Sequence, residues 1–389
     1  MISDFLKHKL GLGKILLLLV ILVLVGGSAF GCAQLGAQPK GWSGGVITDG
    51  TLFFGSMEGQ VVALNASDSG RLWDVTLEPT KSTGGFGCAP SSTAAVAIYG
   101  TPAVAGDLVY IGDYSGKIYA ISASTRLFRA EELNEKDPQP IIGGAAVALG
   151  KVYVGSSDGK VYALDAVSLD TVWEFQTGDK VWSTPVIEGE TLYIGSFDKK
   201  LYALSITNGR QKWEPFETGG AIVSAPLVYN NTIYFGSFDR YIYAVNTADG
   251  SLKWKSKFEA SNWFWTGPVA FNNIIYAASL DGKVYALDAE TGDKVTEFDL
   301  GSPVSSSPVL VDGSVIVATE EGKVYSIDTS SNQKRQLADI NELAEEDLAI
   351  YSPLSADDGI VYIHAQTEKH GSLLYALNAQ TGVDIWRYP

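Results

Sequence analysis

Few residues in this chain have the chemistry of an enzyme centre. The 389-residue sequence holds three histidines, His8, His364 and His370, and two cysteines, Cys32 and Cys88. Nucleophilic catalysis needs a Ser or Cys beside a base that a third group orients. Neither His364 nor His370 has such a partner suggested by spacing, no strand-to-helix G-x-S-x-G elbow is read, and no C-x-x-C-H haem motif occurs. Both histidines are expected to be solvated residues at strand edges. No residue is assigned a catalytic role and none is assigned to a metal.

Two further sets have chemistry to offer. Acidic residues recur at one register position as Glu58, Asp158, Asp198, Asp239, Asp281 and Glu321, mostly before Gly, where a carboxylate serves first to close a turn. A ring of cation ligands is the weaker alternative. Aromatics cluster in Ser261-Asn262-Trp263-Phe264-Trp265-Thr266-Gly267, and Trp182 stands at a related place. Trp182, Trp263, Phe264 and Trp265 are the candidate ligand or partner contacts, since aromatic faces stack on planar ligands and anchor partners. Packing inside the fold is the equal alternative.

The elements that must position these groups follow from a repeat of about 40 residues. Eight copies align on Val62, Tyr119, Tyr162, Tyr202, Tyr243, Tyr285, Tyr325 and Tyr375, each in a V/I/L-Y-A-L-like strand. The copy Val181–Gly219 shows four strand-sized pieces: Trp182–Ile187, Thr191–Gly195, Lys200–Leu204 and Gln211–Phe216. Gly and Asn between them supply the positive φ of hairpin turns. Proline seventeen residues before the anchor, as Pro102, Pro185, Pro226, Pro268 and Pro308, suits the first residue of a strand near a narrow axis. Pro353 is displaced by an insertion, and Gly45 and Ala145 take the place in copies one and three. Eleven residues after the anchor stand Trp73, Trp173, Trp213, Trp254 and Trp386, read as structural covers between neighbouring repeats. Hydrophobic content of 46%, 42 Gly and only 2 Met agree with short strands and tight turns rather than helices. The expected fold is all-β, an eight-bladed propeller of four-stranded antiparallel blades over Gly41–Pro389. Packing between blades one and eight is expected to close the ring, with Ala33–Lys40 as a candidate extra edge strand.

The combination Gly155-Ser156-Ser157-Asp158-Gly159, Tyr162-Ala163-Leu164-Asp165-Ala166 and Trp173, with Tyr285-Ala286-Leu287-Asp288-Ala289-Glu290-Thr291-Gly292 in a later copy, resembles the pyrroloquinoline-quinone (PQQ) repeat family. That family includes quinoprotein dehydrogenases and the outer-membrane assembly lipoprotein BamB. The resemblance covers residues 41–389 and rests on scaffold motifs, so it speaks for fold more than for activity. Quinoproteins add a calcium site, a catalytic Asp and often adjacent cysteines; here Cys88 stands alone.

The N-terminus reads as a targeting segment. Lys7, Lys9 and Lys14 precede the apolar run Ile15–Val25, and small residues lead to Cys32. Ala29-Phe30-Gly31-Cys32 resembles the lipobox of bacterial lipoproteins, although Ala29 and bulky Phe30 depart from its usual pattern. Residues 1–31 are read as a lipoprotein-type signal peptide, or alternatively a membrane anchor, residues 32–40 as a tether, and Cys32 as the lipidation site. The chain is then exported and held on the extracytoplasmic side. Net charge is −16 and the targeting segment is basic, so the body is strongly acidic and a nucleic-acid footprint is excluded.

Two segments break the repeat: Lys81–Ala97 around Cys88, and Ser330–Leu348, where Leu337, Ile340 and Leu343 suggest a short amphipathic helix. The first functional reading is a non-catalytic, membrane-tethered scaffold that meets other envelope proteins through its loop face, as BamB-like members imply for outer-membrane protein assembly. The alternatives are a dehydrogenase of alcohols or sugars using PQQ and Ca²⁺, and an extracytoplasmic ligand- or carbohydrate-binding sensor.

Overall fold

In the computed structural model, residues Lys40–Pro389 form one compact unit. The structure describes residues 43–389 apart from 57, 78–95, 255–257 and 368–370. Expectations for the targeting segment, Cys32, the tether, Cys88 and His370 lie outside the described residues.

Each repeat folds into its own four-stranded antiparallel sheet, and there are eight such sheets. Blade three is representative: Ala146–Ala148, Lys151–Gly155, Lys160–Asp165 and Thr171–Gln176 run in order from inside to outside. Its second and third strands pair from Lys151↔Asp165 to Gly155↔Val161. Four consecutive residues at the centre of the third strand are buried. Continuous burial, rather than alternation, arises because each face of a blade packs against a neighbouring blade. The sequence signature Lys-Val-Tyr-Ala-Leu-Asp is therefore apolar on both faces of the strand.

The cores lie in the seams between blades. Tyr153, Val161 and Ala163 of blade three meet Leu192, Ile194, Tyr202 and Leu204 of blade four. A repeated clamp fastens three of the seams among the described residues; in one, the Tyr153 hydroxyl and Trp173 Nε1 both donate to the carbonyl of Ile206, at 3.0 and 3.1 Å. Tyr234 and Trp254 do the same to Ala289. A Trp and a Tyr from one blade thus satisfy two donors on one carbonyl of the next while burying both rings.

Ring closure uses the same device. Tyr362 and Trp386 of blade eight donate to the Ala66 carbonyl of blade one, both at 3.0 Å. Leu52, Phe54, Val62 and Leu64 pack there against Leu374, Ala376 and Trp386. No strand is exchanged between the terminal blades among the described residues.

The turn residue seven places after each anchor has positive φ in every blade, and in three blades it is a glycine lying against the tryptophan of the blade before. At Gly209, Gly250 and Gly292 an added Cβ would stand 2.7, 2.6 and 2.6 Å from the indoles of Trp173, Trp213 and Trp254. Blade two has Ala130 in place of that tryptophan, and the turn of blade three carries Leu169, buried beside Tyr110 and Leu133. Leucine supplies volume where the indole is missing.

Two expectations need correction. Trp182–Pro185 is not part of an inner strand, which begins at Val186. The outer strand expected over Gln211–Phe216 shrinks to Phe216–Glu217 plus one bridge from Gln211 to Leu204. Pro215 stands in that stretch, and without an N–H it cannot donate to a ladder. The short helix expected in the 330–348 segment forms as Ile340–Ala344, after the outer strand Gln333–Asp339, with Asp339 accepting from Asn341 N. Leu337, Ile340 and Leu348 are buried in the seam of blades seven and eight. Among the described residues, no helix is long and apolar enough to cross a membrane.

Candidate functional site

The site is built by the segments that lead from one blade into the next. Each runs between two hairpins and bonds to both: Val181 N donates to Ser156 O of blade three at 3.0 Å, and Phe197 N of blade four donates to Lys180 O at 2.9 Å. One residue of each segment leaving blades one to five plugs inward against a glycine of that blade. Added Cβ atoms at Gly112, Gly155, Gly195 and Gly236 would stand 2.3, 2.4, 2.3 and 2.2 Å from Ile141, Val181, Ile222 and Phe264. This close approach is the reason for glycine in the G-S-x-D-G motif.

Phe264 is therefore an interior plug, 0% exposed in the core between blades five and six. Its neighbours in sequence point elsewhere. Trp263 is 45% exposed, and Trp265 lines a cavity at the ring axis. Trp182, at the same register position as Trp265, lines that cavity too.

The cavity holds about 250 Å³ and draws its walls from blades two to eight. Tyr99, Trp182, Trp265 and Tyr351 provide the aromatic part, and Ile142 and Val223 the aliphatic part. Below them the inner strands converge. An added Cβ at Gly100 would stand 2.4 Å from the Gly143 carbonyl, and one at Gly267 2.5 Å from that of Ala225, so Thr101, Thr184, Ser307 and glycine backbone form a floor. Tyr99 and Tyr351 were not singled out from the sequence. Tyr99 stands three residues before Pro102, as Trp182 and Trp265 stand before Pro185 and Pro268, which was a usable signal; Tyr351 is only two before Pro353.

An aromatic array extends from this mouth across blades four to six. Trp182 meets Phe197 edge-on at 4.7 Å, Phe197 meets Phe238 at 6.2 Å, and Phe238 stacks on both Trp263 and Trp265 at 4.8 and 5.4 Å. Trp182 Nε1 donates to Ser157 Oγ at 2.9 Å, and Lys180 Nζ sits 6.0 Å from its ring. Phe197 and Phe238 were missed because they occupy a hairpin position that holds Ser157 in blade three.

Four of the six acids at the recurrent position are engaged locally. Asp158, Asp198, Asp239 and Asp281 accept from the hydroxyls of Tyr162, Tyr202, Tyr243 and Tyr285 at 2.5 to 2.7 Å, and from backbone N–H groups of their own hairpins. Burial, then the neighbouring carboxylate, pushes these tyrosines well above the ordinary phenol range, so they remain donors. In blade two the pair is rearranged: Asp113, fully buried, stands two residues earlier and accepts from Tyr119 at 3.1 Å and from Ser115. Burial raises its carboxyl above the usual range.

His364 is not a solvated edge residue. It is 3% exposed, packed against Phe54, and its Nδ1 lies 2.9 Å from the Ser43 carbonyl in the closing seam. Burial pushes its pKa down, against a smaller upward pull from that carbonyl. The sequence Gly155–Gly159 fits G-x-S-x-G as a pattern, but it forms the turn between two strands and Ser157 Oγ accepts from Trp182.

PQQ carries three carboxylates, which a site must meet with cations. The described cavity lining contains no Lys, Arg, His, Asp or Glu. Among the described residues no cluster of His, Cys, Asp or Glu could hold a metal ion. The lining present does not fit that cofactor.

A family model described as outer membrane protein assembly factor BamB matches residues 26–126, 125–262 and 239–389. No curated protein matches the chain. Among solved structures, BamB from Moraxella catarrhalis is similar with a TM-score of 0.67 and 20% identity, over 82% of this chain and 92% of that one. The computationally designed Ika8 protein is similar with a TM-score of 0.68 and 15% identity, over 87% and 97%. At these identities the two structures speak for the fold alone. With the family matched across nearly the whole propeller and the eightfold ring of PQQ-type blades in place, the chain belongs to the BamB family of PQQ-like propellers.

Proposed function

We propose that this protein is a non-catalytic scaffold for protein interaction in the cell envelope, tethered to the membrane on its extracytoplasmic side through Cys32 or an N-terminal anchor. One observation carries the reading. On the loop face, Trp182, Phe197, Phe238, Trp263 and Trp265 form a continuous aromatic surface held by rigid blades. Rigid aromatics on a fixed frame lose little entropy on binding and are favoured at binding hot spots. The groups with catalytic potential support the same reading because they are occupied structurally: the hairpin acids hold tyrosine hydroxyls and His364 is sealed in a seam. Family membership supports outer-membrane protein assembly as the specific task.

The test is affinity capture from solubilised membranes with the full-length chain and with Phe238→Ala/Trp263→Ala. A defined partner is expected with the first and its loss with the second. Recovery of no partner, or of one insensitive to both substitutions, would count against the scaffold role.

A further inference from the structure

The axial cavity shares Trp182 and Trp265 with the aromatic surface proposed for partners, and the rest of its lining points to a small ligand. Aromatic rings of Tyr99, Trp182, Trp265 and Tyr351 stand around the mouth, while Thr101, Thr184, Ser305 and Ser307 contribute hydroxyls. Ser305 Oγ is buried without a hydrogen-bond partner. An unpaired buried hydroxyl is costly, so the position gains from a ligand or water that pairs with it. Charged side chains are absent from the described lining. The volume, about 250 Å³, is too small for a folded segment and suits one or two rings.

We propose that this cavity binds a neutral saccharide, one or two sugar residues of a glycan or a free oligosaccharide. A pyranose presents apolar C–H faces that pack on aromatic rings and an equatorial belt of hydroxyls that pair with hydroxyl and backbone groups. Trp182 and Trp265 supply the faces from opposite sides of blade five, and the floor supplies donors and acceptors. The same lining disfavours anionic ligands, which would find no cation to meet them. It also disfavours a purely apolar peptide side chain, which would seal the floor hydroxyls without partners.

Both tryptophans are fixed before any ligand arrives, Trp182 by its bond to Ser157 and its contact with Phe197, and Trp265 by stacking on Phe238. Preorganised walls lose little freedom on binding.

Isothermal titration of the full chain with a panel of neutral mono- to tetrasaccharides tests this, with glucuronate, PQQ plus Ca²⁺, and a Phe-rich peptide as competing probes. The expected result is binding of at least one neutral sugar at about 1 mM or tighter. Trp182→Ala and Trp265→Ala should each weaken it by about tenfold or more, while Trp265→Phe retains most of it. Circular dichroism melts of the same variants separate lost binding from lost fold. Binding of no neutral sugar, binding unchanged in both alanine variants, or preference for the anionic or peptide probes would overturn the proposal. None of these outcomes depends on whether a protein partner is captured on the aromatic face.

Discussion

Removing Trp386 tests how the ring is held shut. Its indole is 9% exposed, lies 5.7 Å from the Tyr362 ring and donates to the Ala66 carbonyl at 3.0 Å. Burial of about 200 Å² at about 25 cal/mol per Å² gives about 5 kcal/mol, and a compact unfolded chain lowers this to about 3–4.5 kcal/mol. The carbonyl is not orphaned, because the Tyr362 hydroxyl still bonds it, so no large desolvation penalty is added. Trp386→Ala should therefore cost about 3–5 kcal/mol, as large core truncations do. Trp173→Ala, in an internal seam with the same clamp on Ile206, should cost a similar amount. The two losses spread differently through the ring. Blades three and four are joined by the chain, whereas blades eight and one are held together, among the described residues, by packing and hydrogen bonds. Urea unfolding measures the loss, and amide exchange should rise in blades one and eight for Trp386→Ala but stay local to blades three and four for Trp173→Ala. A loss below about 1 kcal/mol at either site, or exchange unchanged in blade one after Trp386→Ala, would refute the clamp as the closing device.

The same geometry sets other outcomes. Gly209→Ala combines φ of +70° with a Cβ 2.7 Å from Trp173 and should cost more than about 2 kcal/mol in urea unfolding, whereas Gly189→Ala, with φ of +56° and nothing within 4 Å, should cost about 1 kcal/mol. Because burial lowers the pKa of His364, the unfolded chain takes up its proton first as pH falls. That site's contribution is full above the unfolded value of about 6.5 and declines below it, by up to about 1.4 kcal/mol per pH unit until the folded value is reached. His364→Gln should flatten the slope of stability between pH 7.5 and 5.5 by that amount. Tyr243→Phe removes a 2.6 Å bond to Asp239 and should cost about 1.5–3 kcal/mol by thermal or urea melts.

The blades, their number and the hairpin register were legible because eight copies repeat a buried anchor and a turn residue with positive φ, and blades three to six add an acid that accepts from the anchor tyrosine. The candidate site was legible only in part. Trp263, Phe264 and Trp265 are alike in type, yet successive residues of an extended segment face opposite ways. That alternation sends Phe264 into the seam and leaves its neighbours at the surface. His364 looked solvated by composition, but it occupies the strand position that is glycine in blades one to five, facing the next blade. The outer strand of blade four was overextended because Trp213 kept its register while Pro215 removed the ladder behind it. Closure was expected to rest on packing, but the Ala66 carbonyl that both Tyr362 and Trp386 reach lies about 300 residues away in sequence, beyond any local pattern.

Whether the aromatic loop face receives a protein partner can be decided by site-specific photocrosslinking in intact membranes. The crosslinker replaces Trp263 on that face or Leu149, 72% exposed in a turn on the opposite face. A discrete crosslinked species is expected from position 263 and none from 149. Equal crosslinking from both positions, or none from 263, would contradict a partner-binding role for the aromatic surface.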